Sequence, residues 1–135
     1  MAELHAECLC GAIKYSVKGI MNDIAHCHCS ECRKWHGALF RSRTTFPREG
    51  FKWLRGEEFV SSYDGLPNAI KTFCKICGSN LVSFYKNNST LVGVPLAAVE
   101  GKLDDVQSYH MFTADKATWY EITDTLPQYK NKPID

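Results

Sequence analysis

Apolar and polar residues alternate along much of this chain with the two-residue period of a strand that buries one face. The run Ala12-Ile13-Lys14-Tyr15-Ser16-Val17-Lys18 is the clearest case, and it predicts Ile13, Tyr15 and Val17 turned inward. Short β-rich runs predict further strands at Leu39–Phe46, Glu58–Tyr63, Ile70–Phe73, Asn80–Tyr85, Thr90–Val94 and Val106–Phe112. Breakers separate them: Pro47, Gly50, Gly56, the Asp64-Gly65-Leu66-Pro67 stretch, Lys86-Asn87-Asn88 and Gly101. Helix is indicated at Ser30–His36 and around Leu96–Glu100. Short strands divided by turn signals predict an all-β fold. No repeat, low-complexity run or linker divides the sequence. A single domain is therefore expected over residues 1–127, followed by a polar, proline-containing tail over 128–135 that should fray.

Composition narrows the function classes. A length of 135 residues suits one domain, and 44% hydrophobic with 23% charged residues excludes a disordered or fibrous chain. Sixteen Lys+Arg against fifteen Asp+Glu leave a formal charge of +1, too little to draw nucleic acid or an anionic membrane by bulk field. No stretch approaches the ~18 apolar residues of a membrane span. The start, Met1-Ala2-Glu3-Leu4-His5-Ala6-Glu7, lacks the basic end and apolar core of a signal peptide. The expectation is a soluble, cytoplasmic chain without membrane association.

The cysteines carry the chemistry. Cys8, Cys10, Cys27, Cys29, Cys32, Cys74 and Cys77 fall as C-x-C, C-x-C-x-x-C and C-x-x-C. Seven is odd, so a fully paired disulfide framework fails, and a cytoplasmic compartment is reducing. If Cys8–Cys10 and Cys27–Cys29 are extended, each pair spans roughly 6.6–7.2 Å, at the usual disulfide limit of ~6.8 Å. Metal suits the same spacing, because residues i and i+2 of a strand project from one face. Cys74-Lys75-Ile76-Cys77-Gly78 has the form of a zinc-binding turn, its glycine free to take a positive φ. Soft thiolates favour zinc over magnesium or calcium, with iron as the chemical competitor.

Zinc takes four ligands, and seven divides into four plus three. That division gives a closed structural site to Cys8, Cys10, Cys74 and Cys77, and an open site to Cys27, Cys29 and Cys32. Spacing alone leaves open a second partition, Cys8/Cys10 with Cys27/Cys29 and Cys32 free. His26, His28 and His36 lie near the trio and are candidates to close it. In a strand, however, His26 and His28 point away from the cysteines they alternate with, which favours hydrogen-bonding or solvent roles.

These motifs have a family likeness. Cys8-Leu9-Cys10-Gly11 before an alternating strand, Cys27-His28-Cys29-Ser30-Glu31-Cys32-Arg33-Lys34, Phe73-Cys74-Lys75-Ile76-Cys77-Gly78-Ser79 and the closing His110, Trp119 and Leu126-Pro127 together resemble the glutathione-dependent formaldehyde-activating enzyme (GFA) family, with its centromere protein V/GFA-type domain. The resemblance covers nearly the whole chain. It implies a β-tent fold of twisted antiparallel sheets stapled by zinc, with two zinc ions per chain. It also implies a structural ion on Cys8, Cys10, Cys74 and Cys77 and a catalytic one on Cys27, Cys29 and Cys32. The implied activity is carbon–sulfur lyase or synthase chemistry, joining glutathione with formaldehyde, or another thiol with another aldehyde. Carboxylates on such a thiol call for cations, for which Arg33, Lys34, Arg41, Arg43 and Arg48 are candidates, with Arg41 and Arg43 on one face of a strand as a possible clamp. His110 and Lys116 are candidates for proton handling or anion binding but read more simply as surface residues. Trp35, Trp53 and Trp119 read as core or pocket-wall aromatics, and Asp124 as a turn residue. The competing readings are a non-enzymatic zinc module for a protein or nucleic-acid partner and, less suitably, a thiol–disulfide oxidoreductase. The second lacks the βαβ context around Cys74–Cys77.

Overall fold

The computed structural model describes residues 1–133. In chain order its strands are β1 (Ala2–Glu7), β2 (Lys14–Gly19), β3 (Ile24–Cys27), β4 (Arg41–Pro47), β5 (Phe51–Arg55), β6 (Val60–Tyr63), β7 (Ala69–Cys74), β8 (Asn80–Tyr85), β9 (Leu91–Pro95), β10 (Val99–Glu100) and β11 (Ser108–Met111). One α-helix, α1 (Ser30–His36), interrupts them among the described residues. The all-β expectation holds. No helix among the described residues is long and apolar enough to cross a membrane. The chain forms two compact units, one from Met1–Asn22 with Thr44–Asp105, the other from Asp23–Arg43 with the segment from Val106 onward.

In the first unit β10-β1-β2-β5 form an antiparallel sheet, and a second run has the order β4-β9-β8-β7-β6. β1 alternates cleanly, with Ala2, Leu4 and Ala6 buried and Glu3, His5 and Glu7 exposed. It pairs with β2 so that Leu4 meets Val17 and Ala6 meets Tyr15. Ile13, Tyr15 and Val17 are buried as their alternation predicts, and Tyr15 packs against the rings of Phe51 and Trp53. Phe46, Val82, Val92 and Val94 are fully buried. Removing each such side chain from water contributes about 1.5–3 kcal/mol.

The second unit is organised around β3. It pairs antiparallel with the start of β4, Cys27 opposite Arg41, and parallel with β11, Cys27 opposite Met111. α1 follows at once, with Cys29 as its N-cap and Gly37 ending it in the left-handed conformation.

Several elements differ from the sequence expectation. Leu96–Glu100 is a single 3-10 turn, Leu96–Ala98, that runs directly into β10, where Val99 pairs with Ala6; ladder bonds to β1 replace a second helical turn. Cys8-Leu9-Cys10 is a turn, not an extended pair, closed by the Gly11 N–H on the Cys8 carbonyl at 3.0 Å. The start of the tail is hydrogen-bonded to β11. Tyr129 N–H donates to the His110 carbonyl, and the N–H groups of His110 and Phe112 donate to the carbonyls of Pro127 and Asn131, each at 2.9 Å. These bonds satisfy the outer edge of β11, which would otherwise be bare. Ile134 and Asp135, the end of that predicted tail, lie outside the described residues.

Candidate functional site

Two turns of the first unit gather four sulfurs. β1 ends at Glu7 and the chain reverses through Cys8–Gly11; β7 ends at Cys74 and reverses through Cys77 and Gly78, whose φ is +78°. Gly78 N–H closes the second turn on the Cys74 carbonyl at 2.8 Å, while Cys77 N–H points at Cys74 Sγ at 3.5 Å. Ile13 N–H does the same to Cys8 Sγ at 3.3 Å. Ser79 joins the turns, its Oγ accepting from Leu9 N–H at 2.8 Å and lying 3.2 Å from Cys77 Sγ. The Ser79 hydroxyl, then its backbone N–H, hold the Cys77 thiol down to about 5. All four Sγ atoms lie within 4.8 Å of one another, with Cys8–Cys10 at 3.6 Å and Cys10–Cys74 at 3.9 Å. Tetrahedral zinc with Zn–S near 2.3 Å needs sulfurs about 3.8 Å apart. The quartet fits a closed tetrathiolate ion with little movement.

The trio is built where β3 becomes α1. Cys27 is the last residue of β3, Cys29 the N-cap and Cys32 a residue of the first turn. Their Sγ atoms lie within 4.8 Å of one another, and no fourth Cys, His, Asp or Glu joins this group among the described residues. Cys27 and Cys32 are buried with Ala25 and Met111, whereas Cys29 is only half-buried. Cys32 N–H lies 3.4 Å from Cys29 Sγ. Hydrogen bonds from the Cys27 and Cys32 thiols, then the Cys32 N–H and the Arg41 charge, hold the Cys29 thiol down to about 2. Sharing with Cys29 and Cys32, and then burial, push the Cys27 thiol up. Cys29 is thus the first of the three to become a thiolate, and Arg41 is the nearby cation that favours it.

Three histidines pack together beside β3: His26 on that strand, His28 just past its end and His110 on β11. His28 Nε2 lies 2.8 Å from His110 Nδ1, and His110 Nε2 lies 2.9 Å from Asp124 Oδ2. His26 Nδ1 lies 2.8 Å from Ser42 Oγ. Phe40 packs on His26, His28 and His110, with ring centroids 5.2, 4.8 and 5.6 Å away. Burial first, then the neighbouring His110, lower His26 and bring His28 down to about 4. His26 and His28 take the hydrogen-bonding roles their alternation predicts. His110 does not match its expected surface role: it is 1% exposed, its ring packed against those of His26, His28 and Phe40. Asp124 is a turn residue, its Oδ1 accepting from Leu126 N–H at 3.0 Å, and is also the partner of His110. The His110 hydrogen bond holds its carboxyl below the usual range.

The remaining cations separate by environment. Arg33 Nε donates to the His28 carbonyl at 3.3 Å. Arg48 stacks over Phe84 and Phe51, at 4.7 and 5.2 Å from their centroids, in the first unit. Lys116 is not free for an anion; its Nζ donates to the carbonyls of Ala117 and Tyr120. Trp53 is half-buried and packs edge-on against Phe51 and Tyr15 at the margin of the core. Trp119 is 80% exposed and so is no core residue, but it does line a pocket. That pocket, about 340 Å³, is walled by Trp119, Leu39, Arg33 and Lys34 along and beyond α1.

Sequence reasoning missed Ser79 and the His110–Asp124 pair as parts of the sites. Ser79 was visible inside the Cys74–Ser79 motif. His110 was a candidate for proton handling, but nothing local marks its partners His28 and Asp124, since the first depends on a parallel pairing made across a long stretch of chain.

Comparison with known proteins places this geometry. A family model described as "Glutathione-dependent formaldehyde-activating enzyme" matches residues 3–120. An uncharacterised lyase of Schizosaccharomyces pombe is 32% identical over 89 residues, an alignment covering 64% of this chain and 61% of that protein. The chain therefore matches less than two thirds of that relative's length. A crystal structure of a Rhodobacter sphaeroides protein superposes with a TM-score of 0.61 at 30% identity, covering 73% of this chain and 90% of that one.

Proposed function

Because the chain belongs to the glutathione-dependent formaldehyde-activating enzyme family, we propose that it is a zinc-dependent carbon–sulfur lyase or synthase acting on a small thiol–aldehyde adduct, S-(hydroxymethyl)glutathione foremost. The observation that carries this is the trio, three sulfurs within 4.8 Å of one another with no fourth protein ligand among the described residues. Three protein ligands and a place for substrate is the usual form of a catalytic zinc site, and four cysteines the usual form of a structural one. In this reading Cys8, Cys10, Cys74 and Cys77 hold the structural ion and Cys27, Cys29 and Cys32 the catalytic one. Zinc bound at the trio supplies a Lewis acid for the aldehyde oxygen and lowers the pKa of an arriving thiol.

The residues do the rest. Cys29, half-buried and favoured as a thiolate, is the member of the trio nearest solvent, and the Arg41 charge offsets the negative charge of three thiolates. Arg33 and Lys34 follow Cys32 on α1, where each residue advances about 1.5 Å. Both line the pocket beside α1 and offer it positive charge for a carboxylate. Trp119 and Leu39 supply apolar wall to the same pocket, whose volume of about 340 Å³ accommodates part of a tripeptide. Such a pocket favours a small molecule over a macromolecular partner. In the synthetic direction a C–S bond forms and the thiol proton ends on the former carbonyl oxygen. The lyase direction reverses both changes, and no electrons are gained or lost.

Exchange NMR of glutathione with formaldehyde tests the proposal. The zinc-loaded chain is expected to speed interconversion of free thiol and adduct, and Cys29→Ser to abolish that gain. A rate equal to the spontaneous one would remove this thiol–aldehyde pair as substrate. If the chain also bound one zinc and ignored thiols, the non-enzymatic module would be the better reading.

A further inference from the structure

With both rings neutral, the chain of hydrogen bonds from Asp124 to His28 has one consistent direction. Asp124 as a carboxylate can only accept, so the proton shared with His110 sits on His110 Nε2, 2.9 Å from Oδ2. The neutral His110 ring then has a bare Nδ1. That atom accepts, and His28 Nε2, 2.8 Å away, must be the donor. His28 is left with an unprotonated Nδ1, buried and without a hydrogen-bond partner. Both residues are buried, at 0% and 1% exposure.

His28 is the residue between two of the trio's sulfurs. Its backbone is already held at both ends: its N–H donates to the Met111 carbonyl at 3.0 Å, and its carbonyl accepts from Arg33 Nε at 3.3 Å. The ring is the third tether. Three tethers on one residue fix the backbone on either side, and with it the directions in which Cys27 and Cys29 project. We infer that His110 is a positioning residue for the trio, holding His28 from behind and being oriented in turn by Asp124. The inference rests on the lyase reading only in taking the trio as a metal site. Groups hydrogen-bonded directly to metal ligands commonly set affinity by tenfold to hundredfold, and His110 acts one residue further out, on His28 between two ligands.

The test uses the zinc-loaded full chain. Long-range ¹H–¹⁵N correlation of labelled histidines is expected to show His28 and His110 each protonated on Nε2 and bare on Nδ1. A proton on Nδ1 of His110 would overturn the inference. Cobalt(II) titration then reads the two metal sites separately, with the quartet as internal control. His110→Leu fills the space without an acceptor and is expected to weaken the trio about tenfold, the low end of the range for direct partners, while leaving the quartet unchanged. His110→Asn places an oxygen near the lost Nδ1 and is expected to recover most of that affinity. Wild-type affinity in His110→Leu, or equal losses in both variants, would show a mere space-filling role. Should His110→Leu fail to fold, Asp124→Ala cuts the chain at its exposed end. It is expected to give mixed His110 tautomers and a smaller trio loss, and no change in either reading would overturn the inference. A wild-type chain that loads only the quartet sinks the lyase reading instead, and the tautomer pattern still decides whether the chain of hydrogen bonds exists.

Discussion

Asp124 shows how one side chain can serve local and distant structure together. Its Oδ1 accepts from Leu126 N–H, a turn role that its position before Leu126-Pro127 makes legible in sequence. Its contact with His110 was not legible, because that contact depends on β11 lying beside β3. The contact has a pH consequence. The folded carboxyl titrates below its ordinary value of 3.8, so the unfolded chain binds more protons in that interval. The stabilisation is fully present above the ordinary value and disappears as pH falls through the folded one. Thermal melts of the wild type and Asp124→Asn should therefore differ by a constant amount from neutral pH down to about 5 and converge below about 4. The gap should be small, since the Asp124 side chain is 47% exposed. A gap that widens on acidification would contradict this assignment.

At the scale of elements, period-two alternation was readable wherever large apolar residues mark it. β2 and β8 follow their predicted runs, and the Ser30–His36 helix is reproduced at both ends. β1 escaped because its inward residues are Ala2, Leu4 and Ala6, and alanine is too small to signal a buried face. β5 escaped because Phe51-Lys52-Trp53-Leu54-Arg55 puts Leu54 on the exposed side and blurs the alternation. Gly56, read in the sequence only as a breaker, has a more specific role. Its φ is +76°, and a Cβ built there would fall 1.9 Å from the Ala12 carbonyl oxygen. Neither strain is relieved by a side-chain rotation. Gly56→Ala is expected to destabilise the chain by about 2–3 kcal/mol, read by urea unfolding. A neutral outcome would mean that β5 and the segment before β2 separate more easily than their packing indicates.

At the scale of the whole molecule, each cysteine group belongs to one unit, the quartet to the first and the trio to the second. The grouping by four and three was legible from spacing and ligand count, although spacing alone also allowed Cys8/Cys10 with Cys27/Cys29. What spacing did not convey is that each unit is assembled from two separate stretches of chain, because parallel pairing such as β3 with β11 leaves no local mark. The arrangement predicts metal loss in two steps. A mild chelator should remove one zinc per chain without unfolding. A strong one should remove the second and unfold the protein, since a structural zinc contributes about 10–16 kcal/mol against a domain stability of ~5–15 kcal/mol. Cys74→Ala should be insoluble for the same reason. Metal analysis beside circular dichroism checks both, and a fully folded, zinc-free chain would refute the structural assignment.

The interleaving also sets an order of events on the ribosome. All four quartet cysteines have been synthesised once Cys77 is made, whereas β11 and its covering residues 127–131 come near the end of the described chain. Cys27, Cys29 and Cys32 are synthesised early, yet the strand that backs them arrives more than 75 residues later, at Ser108. For that interval the nascent polypeptide carries three thiols without the strand whose Met111 later packs on Cys27 and Cys32, and they are most open to oxidation before that strand is made.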